Sequence, residues 1–175
     1  KLDVAIQGDT IVEVGENLQG EEMVDLQGKM LLPGFVDIHS HGREGYDFST
    51  ASPEEIGKMC LSYAESGITS VLATSITMGY DTTSGIMKNI NKAMESGYPG
   101  SRILGINMEG PFLGRDRKGS HDENHLVPPN EEAFEEWDQL SGNSIRMVDI
   151  DPNLPGAMEF IKKYSKSKVV SIAHT

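Results

Sequence analysis

This sequence is short of cysteine, of positive charge and of long apolar runs, and each shortage closes off a class of protein. A single cysteine, Cys60, excludes an internal disulfide framework. It suits a reducing compartment and reads as a core residue of a helix. No apolar run approaches the length of a membrane span, and no basic N-terminal region leads into an apolar segment. The expectation is therefore a cytoplasmic protein with no membrane partner. Lys and Arg number 15 against 27 Asp and Glu, a net charge of −12, which argues against nonspecific nucleic-acid binding and against an anionic membrane surface. An anionic small substrate stays compatible if its site is locally positive.

What is present is ordinary globular composition, 37% hydrophobic and 24% charged over 175 residues, enough to bury a sizeable core. Organisation changes near Pro33. Before it, Val4–Ile6, Thr10–Val14 and Met23–Leu26 read as short strands punctuated by Gly8-Asp9, Gly15 and Gly28, the pattern of a small antiparallel sheet. After it, strands and helices alternate. The candidate strands are Phe35–His39, Thr69–Ile76, Arg102–Met108, Ile145–Ile150 and Lys168–Ala173, rich in β-branched residues.

The helices between them have readable starts and stops. Ser52-Pro53-Glu54-Glu55 is a capping box with Pro at the first helical position; Ile56, Met59, Cys60, Tyr63 and Ala64 follow at helical spacing, and Gly67 ends the run. Ile86, Ile90, Ala93 and Met94 mark a second helix stopped by Gly97. Phe134, Trp137 and Leu140 mark a third, and Met158, Ile161 and Tyr164 a fourth. All these stripes read as core packing. The acidic run from Asn130 to Asp138 reads as a solvated helix face. Such alternation implies a parallel sheet with right-handed crossovers, and five strands are more than half of an eight-stranded barrel.

Chemistry gathers at the ends of the strands. The apolar run Leu31–Ile38 closes in His39-Ser40-His41, and alternation along a strand sends the two imidazoles to one side, about 6 to 7 Å apart. An arbitrary His-X-His is more often a surface histidine and a satisfied core histidine. Position favours a metal here, because parallel α/β barrels carry their catalytic groups at the C-terminal ends of the strands. Glu109 closes the strand of Ile106-Asn107-Met108 before Gly110-Pro111 turns the chain, and His174 closes Val169–Ala173. His39, His41, Glu109 and His174 are thus expected to converge on one rim. Imidazole and carboxylate together suit Zn²⁺ or Fe²⁺, and an open position for water would make the site hydrolytic. In the loop after Glu109, Arg117-Lys118-Gly119-Ser120-His121-Asp122 alone reads as polar surface. Its nearness to Glu109 makes it a substrate-facing loop in which His121 can donate to a carbonyl oxygen, while His125 reads as structural.

Pro33-Gly34-Phe35-Val36-Asp37-Ile38-His39-Ser40-His41-Gly42, Met108-Glu109-Gly110-Pro111-Phe112, Lys118-Gly119-Ser120-His121 and Ile172-Ala173-His174-Thr175 together resemble the N-acetylglucosamine-6-phosphate deacetylase family of the amidohydrolase superfamily. The resemblance covers essentially the whole chain. The first motif is common to many amidohydrolases; the Glu-Gly-Pro-Phe and Lys-Gly-Ser-His runs are much narrower. The implied fold is α/β: part of a small β-sandwich domain over 1–33, then over 34–175 the first part of a (β/α)8 TIM-type barrel of the metal-dependent hydrolase kind.

The implied activity is metal-dependent removal of the acetyl group from N-acetyl-D-glucosamine 6-phosphate, giving glucosamine 6-phosphate and acetate in amino-sugar catabolism, by a homodimer. Glu109 and His174 match family metal ligands. His39 and His41 match a pair that some members use for another metal position, so one or two ions, Zn or Fe, fit. Ser120 and His121 match residues that contact substrate, His121 polarising the acetamide carbonyl. Family members continue past His174 to supply another His ligand, the catalytic Asp and phosphate-binding residues. This sequence therefore reads as an N-terminal portion with no catalytic base of its own, expected to be inactive and poorly stable alone. Asp149-Ile150-Asp151-Pro152-Asn153 stands where the family commonly has Ala-Pro-Glu. The other readings are an N-acetylgalactosamine-6-phosphate deacetylase, another amidohydrolase such as a dihydroorotase-like amidase, for which no strand-end Lys is placed, and a non-catalytic fragment.

Overall fold

Gly8, at φ +65°, turns the chain between two β-rich runs, which pair antiparallel as β1 (Asp3–Gln7) and β2 (Thr10–Gly15). The computed structural model describes residues 2–175, and its contacts divide into one unit that ends at Pro33 and a second, Gly34–Thr175. In the first unit the strand expected at Met23–Leu26 does not form. Asp25 instead accepts the Gln27 amide and Lys29 N–H reaches the Leu26 carbonyl. Met23 and Val24 stay exposed, and a strand without a paired neighbour gains nothing from being extended.

The second unit follows the alternation of the sequence: β3 (Phe35–Ser40), a hairpin of β4 (Gly42–Arg43) and β5 (Tyr46–Asp47), α1 (Pro53–Glu65), β6 (Ile68–Ser75), α2 (Tyr80–Ser96), β7 (Arg102–Glu109), α3 (Glu131–Leu140), β8 (Ile145–Ile150), α4 (Ala157–Tyr164) and β9 (Val169–Ile172). Strands β3, β6, β7, β8 and β9 form one parallel sheet in sequence order, the arrangement of more than half a (β/α)8 barrel. Register sets their C-terminal ends level: Ser75 lies beside Met108, Glu109 beside Asp149, and Asp149 beside Ser171. Anything placed at a strand end therefore meets its counterparts on one rim.

Local chemistry explains the helices. The capping box forms as read, with Ser52 Oγ accepting the Glu55 amide and Glu55 accepting the Ser52 amide, a device that contributes about 1 kcal/mol. Cys60 is buried on α1. Helix α2 begins six residues before Ile86, at Tyr80, because its first turns bury Thr83 and Ser84, which no apolar stripe would reveal. On α4 the stripe is displaced: Met158 is 61% exposed, and Ala157, Phe160 and Tyr164 face the core. Phe160 packs edge-on to Phe112 and Phe134, and burying a side chain of this size stabilises by about 1.5–3 kcal/mol. The acidic residues Glu131, Glu132, Glu135 and Glu136 face solvent on α3, as expected. Among the described residues no helix is long and apolar enough to cross a membrane.

Candidate metal centre

Each side chain at the rim is delivered by a strand end or by the loop that follows it. His39 lies at the end of β3 and His41 one residue beyond it, their rings edge to face with centroids 5.4 Å apart. Glu109 is the last residue of β7, 6% exposed, and sits at the centre of the group. His41 Nε2 is 2.8 Å and His39 Nε2 3.5 Å from its Oε2; His174 Nε2 is 3.0 Å and His121 Nε2 3.6 Å from its Oε1. One carboxylate is thus faced by four imidazoles drawn from strand ends, the residues just past them and a loop. Residues far apart in sequence meet as the strand-end pattern predicts.

The tautomers of two rings follow from their outer nitrogens. His174 Nδ1 lies 2.8 Å from the Arg117 carbonyl, an acceptor only, so Nδ1 carries a hydrogen. In the neutral ring the Nε2 lone pair then points at the Glu109 carboxylate, and two lone pairs at 3.0 Å require a cation between them, a proton or a metal ion. His121 is the reverse. Its Nδ1 accepts the Thr77 amide at 3.3 Å and lies 2.7 Å from the Thr77 hydroxyl, so Nε2 carries the hydrogen and faces Glu109 as a donor. His121 is 2% exposed, the one buried side chain of an otherwise largely exposed loop over 117–122. Ser120, on the preceding turn, is exposed.

Backbone details hold this arrangement. Gly110 has φ +84°, and a Cβ there would fall onto the Thr77 hydroxyl. Only glycine lets Thr77 reach His121 while the chain leaves Glu109 in this direction. His174 adopts φ +51°, uncommon for a residue with a side chain and a form of strain that gathers at functional sites. Gly114 N–H donates to its carbonyl at 3.2 Å.

A divalent ion fits these residues. His39, His41 and Glu109 offer three ligand atoms within 4.8 Å of one another; Glu109, His121 and His174 cluster as closely, but with Thr77 on Nδ1 the His121 ring keeps its Nε2 hydrogen, so that Glu109 and His174 are the ligands there. Four buried atoms, His41 Nδ1, Asn107 Oδ1, Glu109 Oε2 and Asp149 Oδ2, have no hydrogen-bond partner among the described residues. Glu109 Oε2 is among them although His41 Nε2 lies 2.8 Å away. Orphaned polar atoms are rare in a folded protein, and a cluster of them around a carboxylate and imidazoles fits a divalent ion.

Sequence reasoning missed three contributors. Asn107 is fully buried, its Nδ2 3.1 Å from His39 Nδ1; it stands two residues before Glu109 and so shares its face of β7. Thr77 carried no motif. Asp149 is buried beside His39 and was legible only as a strand-end carboxylate level with Glu109.

Electrostatics set the direction of proton competition. Burial alone would raise the Glu109 carboxyl, but His121, His41 and His174 outweigh it and hold it well below the usual carboxylate range. Glu109 in turn raises His41 above the ordinary imidazole value. Burial lowers His174, yet the Arg117 carbonyl and Glu109 prevail and its net shift is upward. Asp149 is raised by burial. An incoming ion must displace protons held more tightly than on free imidazole. Zn²⁺ affinity is therefore expected to fall as pH drops, beginning above the ordinary value of 6.5, by about tenfold per pH unit for each proton displaced. A Zn²⁺ titration from mildly alkaline to mildly acidic pH checks it; a flat profile contradicts it.

The chain also resembles known proteins. Residues 30–171 match the amidohydrolase family. An N-acetylglucosamine-6-phosphate deacetylase of Lysinibacillus sphaericus is 30% identical over 178 aligned positions covering 100% of this chain and 46% of the relative. That of Bacillus subtilis is 35% identical over 150, covering 83% and 38%. The crystal structure of N-acetylglucosamine-6-phosphate deacetylase from Pasteurella multocida superposes with a TM-score of 0.86 at 25% identity, over 99% of this chain and 46% of that one. The chain spans less than half the length of each.

Proposed function

Because this chain belongs to the amidohydrolase family, we propose that it forms part of a metal-dependent hydrolase that removes the acetyl group from N-acetyl-D-glucosamine 6-phosphate. The observation that carries this reading is the single buried carboxylate of Glu109 faced by His39, His41, His121 and His174 at the C-terminal rim of a parallel sheet. Glu109 and His174 hold a divalent ion, Zn²⁺ or Fe²⁺, and His39 and His41 with Glu109 hold an ion at an adjoining position. When bound, such an ion supplies Lewis-acid polarisation of a carbonyl and an acidified water.

The chain's own residues do the rest. Glu109 keeps its charge across the neutral range, because its carboxyl is held low, and so attracts a cation throughout. His174, locked by the Arg117 carbonyl, directs Nε2 inward. His121, locked by Thr77, presents an N–H to the acetamide oxygen, where negative charge develops during attack. Ser120, on the solvent side of the same turn, contacts the sugar. A general base, an Asp by the family resemblance, comes from the further length that such enzymes have. The β1–β2 unit is part of the small β domain, and the assembled enzyme is a cytoplasmic homodimer.

The test is release of glucosamine 6-phosphate and acetate by the full-length, metal-loaded protein, with the galactosamine epimer and an unphosphorylated N-acetyl sugar alongside. The expected result is turnover of the glucosamine phosphate that a chelator abolishes and added Zn²⁺ or Fe²⁺ restores. Turnover that survives chelation, or none with this substrate, overturns the reading.

A further inference from the structure

Asp149 has no role in the readings above, and its placement is unusual. It sits next to last in β8, beside Glu109 in register, with its side chain only 3% exposed. Its Oδ2 accepts no hydrogen bond among the described residues. The ionisable nitrogen nearest to that oxygen is His39 Nδ1, at 3.8 Å. Asn107 reaches the same nitrogen from Nδ2 at 3.1 Å. The opposite edge of the ring, Nε2, faces Glu109 Oε2 at 3.5 Å. His39 therefore stands between an inner carboxylate shared with His41 and an outer pair, Asn107 and Asp149.

The two ring edges cannot be served independently. With the Asn107 amide donating to Nδ1, the ring hydrogen is on Nε2. An ion can take Nε2 only when that hydrogen sits on Nδ1. Nδ1–H then needs an acceptor in place of the amide donor, and the unpartnered oxygen of Asp149 lies on that side. A carboxylate behind a metal-bound imidazole fixes its tautomer and raises its basicity.

We propose that Asp149 is a positioning residue for His39, the acceptor that takes Nδ1–H and so frees Nε2 for a divalent ion held with His41 and Glu109. This rests on the reading that this corner binds such an ion, and it adds a residue to which neither composition nor motif pointed. Asn107 opposes Asp149 for the same ring edge, so the side chains that flank His39 favour different tautomers.

Zn²⁺ titration of the full-length protein, with bound metal counted by mass spectrometry, tests this. Asp149→Ala is expected to weaken Zn²⁺ binding that depends on His39 by about 10- to 100-fold, and D149N, which keeps a weaker acceptor, by less. In a His39→Ala background D149A should cost nothing further, because Asp149 acts through that ring. Nitrogen NMR of the His39 ring should report hydrogen on Nδ1 in the Zn²⁺-loaded wild type. Should D149A fail to fold, the isosteric D149N carries the test with the same sign. Unchanged affinity in the folded variant overturns the assignment, as does an equal loss with and without His39, which would make Asp149 act directly on the ion. Wild-type protein that binds no ion overturns the metal reading as well; an ion bound normally by D149N overturns this inference alone.

Discussion

In the full-length protein Glu109→Gln is expected to empty the centre: bound Zn²⁺ or Fe²⁺ falls to background in metal analysis, and on the proposed function release of glucosamine 6-phosphate falls with it. Four imidazoles approach this one side chain, and an amide of the same shape removes the only negative charge among those five groups. What remains is a set of neutral nitrogens that lack the anion on which both candidate ion positions depend, since Glu109 is common to the two. Loss of a ligand therefore removes either ion, whichever is bound. A variant with wild-type metal content and turnover would take Glu109 out of the ligand set.

The second large effect is at His121, and it differs in kind. In the full-length protein His121→Asn should leave metal content intact while kcat falls by about 10²-fold or more, the scale on which a donor to a developing oxyanion acts. The reason is the Thr77 amide, which occupies Nδ1 and so commits Nε2 to donating. Steady-state kinetics with KM and kcat separated, beside metal analysis of the same preparation, check it. A variant that loses its ion would make His121 a ligand.

Much of this site was legible because barrel chemistry sits at strand ends, and turn-forming residues mark where a strand stops. Gly42 after the histidine pair and Gly110-Pro111 after Glu109 show where β-rich runs stop, and the side chains just before are the candidates. The same logic could have promoted Asp149, next to last in β8, and period-two alternation could have promoted Asn107. Thr77 and the depth of His121 were beyond it, since a buried loop histidine and a surface one share the same local sequence and differ only in what folds over them. The strand that does not form at Met23–Leu26 and the exposed Met158 have a common cause. Apolar residues mark where burial is available locally, whereas pairing and orientation are decided by distant segments.

The contacts around His174 have a consequence for how such a protein can be altered. Its ring is held by the carbonyl of Arg117 and its own carbonyl by the amide of Gly114, so the loop after β7 grips the residue just past the fifth barrel strand. Loops of barrel enzymes are commonly treated as interchangeable parts mounted on a fixed frame. Here the loop and the fifth strand form one unit of exchange. Grafting a foreign loop between Glu109 and α3 would change the turn that carries Ser120 and His121 and, in the same stroke, release the His174 imidazole. Shortening or recombining this region must therefore carry residues 110–121 and 169–174 together.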